Sequence, residues 1–166
     1  MKDDFAPRLG SPATGVVLTG GASGIGLASA RALAAVGRPV ALWDLRADAA
    51  SSRAKEIALD FGVKTIGLGV DVRSAHAVRE AAATTRSVLP SVGALVHCAG
   101  TVDTGSLEGI TAENWNAGLD VHLYAIVLLL QSFLDEMRQH HGCEGIRTAR
   151  RRHAGMPFVS TVPAPS

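Results

Sequence analysis

Gly20, Gly24 and Gly26 stand in the stretch TGGASGIG (19–26), between the apolar run GVVLT and an alanine-rich run that starts at Gly24. Glycines at that spacing, between a strand and a helix, suit a loop that holds phosphate. Gly20 permits a turn at positive φ, Gly24 lets backbone amides approach a diphosphate, and Gly26 lets the helix pack tightly on the strand. The helix N-terminus adds partial positive charge. A lone glycine motif would also serve a plain strand–helix turn, so its surroundings matter. Asp44 ends the next apolar run, PVALWD, about 20 residues after the loop, where a carboxylate can accept hydrogen bonds from a ribose 2′-hydroxyl. An acid there repels a 2′-phosphate, which favours NAD over NADP. Arg46 keeps NADP open, and Asp44 could instead cap the helix that follows.

The elements that must position these residues alternate along the chain. GVVLT (15–19), PVALWD (39–44), VKTIGLGVDV (63–72) and GALVHCAG (93–100) read as strands. Between them, 24–36, 47–62 and the run from Ala75 to Leu89 read as helices; Gly37 ends the first, Ser74 caps the third and Pro90 closes it. Thr111 caps a long apolar-periodic helix over 112–140. Continuous apolar strands alternating with helices predict an α/β protein with a doubly wound parallel sheet covered on both faces.

In a chain of 166 residues, 47% of them hydrophobic, one domain with a core of Ala, Val, Leu and Ile is expected. A formal charge of +1 gives no reason to expect nucleic acid or a membrane surface as partner. The longest apolar run, VHLYAIVLLL (121–130), is too short to span a bilayer. Cys98 and Cys143 match no ligand or redox spacing, so a reducing, cytoplasmic setting is expected. Residues 1–13 read as a flexible leader and 14–141 as the domain. From 142 the texture changes: arginines at 147, 150, 151 and 152 and three late prolines predict an irregular tail over 142–166.

The eight-residue loop TGGASGIG resembles the T-G-x-x-x-G-x-G pattern of the short-chain dehydrogenases/reductases. Three further stretches agree in order: DV at 71–72, HCAG at 97–100, and ITAENWNAGLDVHL at 110–123. The resemblance implies a Rossmann-type sheet of order 3-2-1-4 that binds NAD(H). In it Gly20, Ser23, Gly24, Ile25 and Gly26 form the phosphate loop, and Asp44 and Leu45 lie at the adenosine ribose. Asp71 and Val72 would contact adenine, and Cys98, Ala99 and Gly100 would form the turn beside the cofactor. His97 and Cys98 depart from the two asparagines usual there, and His122 stands where the central helix usually carries an asparagine.

Catalysis in that family rests on a tyrosine with a lysine four residues later and a substrate-bonding serine. The physical requirement is a phenol shifted from about 10 toward neutrality by a neighbouring cation. This sequence has one tyrosine, Tyr124, followed four residues on by Leu128, and its lysines are Lys2, Lys55 and Lys64. Tyr124 reads as a packing residue and His122 as a partly buried helix residue, although an imidazole could relay protons. GIRTAR (145–150) is a faint echo of a fifth strand, and GMPFVSTVPAPS resembles the loop that runs up to the tyrosine. The expectation is a chain truncated before the catalytic pair, by an early stop or a frame slip, keeping the cofactor half with little or no turnover. A working oxidoreductase using His122 or a partner's residue, and a non-catalytic product acting only as an association partner, remain alternatives. An alcohol or carbonyl substrate follows only if it is active. An open sheet edge and the helix 112–138 predict association, including homo-oligomers.

Overall fold

The computed structural model of the protein describes residues 13–101 and 108–139. Four strands, β1 (Gly15–Thr19), β2 (Val40–Asp44), β3 (Thr65–Gly69) and β4 (Val92–His97), alternate with helices α1 (Gly24–Ala35), α2 (Ala47–Phe61) and α3 (Ala75–Val88). They form one parallel sheet in the order β3-β2-β1-β4, as the resemblance implied. Every residue of β1 and β2 is buried, which is why both read as unbroken apolar runs. Alternate side chains feed two cores. Val16, Leu18, Val40 and Leu42 pack with Ala30, Ala34 and Ile57 on one face. Val17, Ala41 and Trp43 pack with Val78, Ala82, Leu129 and Phe133 on the other.

Local signals set most boundaries. Ser74 Oγ accepts from the Ala77 N–H at 3.2 Å, and Thr111 Oγ1 from the Asn114 N–H at 3.2 Å, so both expected caps form. Two strands are shorter than their apolar runs. β3 stops at Gly69, and Asp71 turns the chain by accepting from the Arg73 N–H at 3.0 Å. β4 stops at His97, where the Cys98 N–H reaches the Thr19 carbonyl at 3.1 Å before the chain turns away.

The helix that follows is not the uninterrupted element the periodicity predicts. It runs as α4 (Ala112–Leu119), a π-helical segment (Asp120–Tyr124) and α5 (Ala125–Gln139). By length and composition this helix could cross a bilayer, with a mean hydropathy of 1.6 over its most apolar stretch. In the structure Leu128, Leu129 and Phe133 instead cover the sheet, and Ala125 packs with Val72 and Val121 beyond the strand ends. The Phe133 and Trp43 rings stand 5.8 Å apart, and Trp43 Nε1–H donates to Thr85 Oγ1 of α3 at 3.1 Å. Arg86 ties α3 to α5 by donating to the Glu136 carboxylate and the Ser132 carbonyl, with its guanidinium 5.1 Å above the Phe133 ring.

The outer side of the helix carries a second apolar stripe. Trp115, Leu119, Leu123, Ile126 and Val127 are exposed. So is Tyr124, at 48%, which corrects the expectation that it is a packing residue. The expectations for residues 1–12, for the tail 142–166 with its fifth-strand echo, and for Cys143 lie outside the described residues.

Candidate functional site

The C-terminal ends of the strands open onto a cleft of about 960 Å³. Parallel pairing aligns them there, with Thr19 beside Trp43 on one side and His97 on the other, and Asp44 beside Gly69. This is the crevice in which open α/β sheets take ligands. Gly20, Ser23, Gly24, Ile25 and Gly26 form one wall, and Asp44, Leu45, Asp71 and Val72 form a second. Cys98, Ala99 and Gly100 lie across from them. The structure thus brings every residue expected at a cofactor to one place.

The loop's geometry depends on two close approaches. A Cβ on Gly26 would stand 2.2 Å from the Gly20 carbonyl oxygen, so α1 closes on the loop itself rather than on the body of the strand. Gly20 has φ +63°, and a Cβ there would lie 2.8 Å from the Ala99 amide nitrogen, because the turn after β4 crosses over it. Gly24 also has positive φ, with open space where a side chain would be. Ser23 precedes α1, but its hydroxyl does not cap it, and the first turn holds no acid. The helix's N–H groups and partial positive charge are left for an anion.

Asp44 does two jobs. Its Oδ2 accepts from the Ala22 N–H of the loop at 3.1 Å, and Oδ1 accepts from the Arg46 N–H at 3.1 Å and Arg46 Nε at 3.4 Å. Asp44 does not cap α2, whose N-cap is Arg46 with no side-chain cap; its carboxylate steadies the residue before the helix and clamps the loop as well. A carboxylate accepts about four hydrogen bonds, which leaves capacity for a hydroxyl. Arg46, 64% exposed, also donates to Ser23 Oγ at 3.2 Å and so lies across the same end of the cleft. Asp71 is held by Arg73, whose Nη2 donates at 2.7 Å; this guanidinium keeps the Asp71 carboxyl below the usual range.

At the other end, Thr19 Oγ1 accepts from the Ala99 N–H at 3.2 Å and lies 2.7 Å from His97 Nδ1. His122, expected to be partly buried, is exposed. Its ring lies against Gly100 on the far side of the turn, and it does not line the cleft. Tyr124 does not line it either. No group of three or more His, Cys, Asp or Glu among the described residues is placed to hold a metal. Sequence reasoning missed Thr19, Arg73 and the Ala22 amide as site members. The Asp-x-Arg spacing at 71–73 was a usable signal, whereas a backbone amide leaves none.

The glycine loop, the bare helix terminus and the acid at the end of β2 together fit a dinucleotide. Comparison with known proteins agrees. The profile of the family described as short chain dehydrogenase matches residues 14–148. A protein named "Probable galactose dehydrogenase" in Rhizobium meliloti (strain 1021) is 34% identical over 128 residues, covering 77% of this chain and 50% of that protein. The D-threitol dehydrogenase of Mycolicibacterium smegmatis is 31% identical over 126 residues, covering 76% and 48%. Among solved structures, L-sorbose reductase from Gluconobacter frateurii, complexed with NADPH and L-sorbose, superposes with a TM-score of 0.71 at 29% identity, covering 76% of this chain and 48% of that one. An alcohol dehydrogenase from Thermococcus sibiricus, complexed with 5-hydroxy-NADP, gives 0.72 at 30% identity, covering 76% and 54%. The chain spans about half the length of the curated relatives it matches. With sheet order, loop and sequence profile in agreement, the chain belongs to the short-chain dehydrogenase/reductase family.

Proposed function

We propose that this chain binds a nicotinamide dinucleotide in the cleft, as the cofactor half of an oxidoreductase that moves a hydride between nicotinamide and a carbonyl or alcohol. The observation that carries the reading is the Asp44 carboxylate clamped to the loop at Ala22, beside the uncapped start of α1. Residues 20–26 would hold the diphosphate, Asp44 and Leu45 the adenosine ribose, Asp71 and Val72 the adenine. Cys98, Ala99 and Gly100 would face the nicotinamide half. Bound nicotinamide supplies the hydride acceptor or donor; the residues of this chain bind and orient it. No tyrosine here has a lysine four residues on. We therefore expect little or no turnover from this chain itself, with a non-catalytic nucleotide-binding protein as the alternative.

Asp44 supports a preference for NAD through its bonds to a ribose hydroxyl. Arg46 leaves a place for a 2′-phosphate, and the two solved relatives named above carry NADPH and an NADP derivative. Calorimetric titration with NADH and NADPH tests both points. Binding of NADH is expected, tighter than NADPH, and no heat with either at millimolar concentration would overturn the proposal. The relatives' names mention galactose, D-threitol and L-sorbose, so sugars and polyols are the first alcohols to assay for turnover.

Association is a second part of the reading. The exposed stripe from Trp115 to Val127 and the outer edge of β4, which pairs only with β1 among the described residues, favour contact with another protein surface. Sedimentation equilibrium showing a strict monomer at high concentration would exclude self-association.

A further inference from the structure

Two imidazoles grip the turn between Cys98 and Thr101 from opposite ends. His97, half-buried at the end of β4, places Nε2 2.9 Å from the carbonyl oxygen of Val121 in the π-helical segment. A carbonyl only accepts, so Nε2 carries the proton, and Nδ1 is left to accept from the Thr19 hydroxyl. That same hydroxyl oxygen receives the Ala99 N–H. His122, the residue after Val121, reaches back the other way. Its Nε2 lies 2.9 Å from the Thr101 carbonyl oxygen and 3.3 Å from the Thr101 nitrogen, and a Cβ on Gly100 would stand 2.6 Å from its Cε1. The end of β4 therefore holds the π segment through His97, and the π segment holds the turn through His122. Neither ring is needed to fill the core, and π segments inside α-helices frequently sit at functional sites.

We propose that His97 and His122 are a coupled pair of positioning residues that lock the turn 98–101 to the π segment and so set the shape of one wall of the cleft. His97 grips the segment that carries His122, and His122 grips the turn that follows His97, so loss of one loosens the mooring of the other. Residues sharing a network in this way give non-additive effects. His97 acts here as the Nε2–H tautomer. His122 acts from behind the wall, not as a proton carrier within the cleft. The affinity readout rests on the proposed cofactor binding; the structural readout does not.

The test is a double-mutant cycle on the full chain with His97→Leu and His122→Leu, read by calorimetric NADH affinity and by hydrogen exchange at the Ala99 and Thr101 amides. His97→Leu is expected to weaken NADH binding by about tenfold, since the Val121 carbonyl and the Thr19 hydroxyl lose a partner, and His122→Leu by about threefold. The double variant is expected to lose only about tenfold, short of the product, because the lock is already open. Either single substitution should speed exchange at both amides. His97→Gln, whose amide can still donate, should restore most of the protection, and His76→Asn on α3 should change nothing. Nitrogen NMR of the imidazoles should show His97 protonated at Nε2. Multiplicative losses, unchanged exchange, or a proton on Nδ1 alone would each overturn the proposal. If the unaltered chain fails to bind NADH, the cofactor reading falls, and exchange and tautomer still decide the lock. If His97→Leu does not fold, His97→Gln and His122→Leu carry the same tests.

Discussion

Replacing Asp44 by Asn probes the adenosine end with almost no change of shape. The Asp44 side chain is 10% exposed, and its carboxylate serves two separate amides, Ala22 through Oδ2 and Arg46 through Oδ1. A carboxamide has only one oxygen, so in either orientation one of these N–H groups faces an NH₂. An amide left without its acceptor in a buried site costs roughly 1–3 kcal/mol. If the strain falls on the loop, the diphosphate seat loosens. A sugar hydroxyl also exchanges a charged acceptor for a neutral one, a loss of about 1 kcal/mol. Together these predict a fall of about 2 kcal/mol in NADH affinity, or roughly thirtyfold. NADPH should lose less, because the substitution removes the repulsion between carboxylate and 2′-phosphate while Arg46 stays in place. The measurement is calorimetry with both cofactors on both proteins, with a urea melt followed by far-ultraviolet circular dichroism. If NADH affinity changes less than threefold, the ratio of the two affinities stays constant and the melt does not move, the role given to Asp44 is wrong.

Gly26→Ala places a methyl group against the Gly20 backbone, with no flexible side chain to yield. It should lower stability by about 1–3 kcal/mol and abolish measurable NADH binding, and a variant that binds normally would contradict the close approach. Thr85→Val removes the acceptor of Trp43 Nε1–H between two fully buried residues, and a loss of about 1–3 kcal/mol should appear in the urea midpoint. Arg73→Met frees Asp71, and its carboxyl titration, followed by carbon NMR, should move up toward the ordinary value of about 4. Because the folded protein holds that group low, the pair's contribution is present above about pH 4 and is lost as the pH falls through the folded value. The pair is solvent-exposed, so that contribution should stay below about 1 kcal/mol, and an unmoved titration would refute the pairing.

Most of the scaffold was legible because its signals are local. Unbroken apolar runs report burial on both faces, Ser74 and Thr111 announce helix starts, and the glycine spacing announces the loop. The strand order needed the family resemblance, since pairing partners leave no mark within a single strand. The strand ends were misjudged because Val70, Val72 and Cys98–Gly100 are apolar or small for the sake of the cleft, not of the sheet. Two features of the last helix were hidden. A π segment changes hydrogen bonding without disturbing the apolar spacing around Leu119, Leu123 and Ile126. A helix apolar on two sides also looks the same in sequence whether one side or both are covered, which is how Tyr124 came to be expected as a packing residue. At the site, side chains with a family counterpart, such as Asp44, could be found. Contacts between residues far apart in the sequence could not, including Arg46 with Ser23 and His97 with Val121.

The chain contains two tryptophans, and the fold gives them opposite surroundings. Trp43 is sealed between the sheet and α5, and Trp115 stands 59% exposed on α4. Their emission should therefore separate into a blue component resistant to acrylamide and a red component that is readily quenched. The first reports whether the sheet is assembled, the second whether anything covers the outer helix. One fluorescence sample can then follow folding and docking at the same time, without an added label.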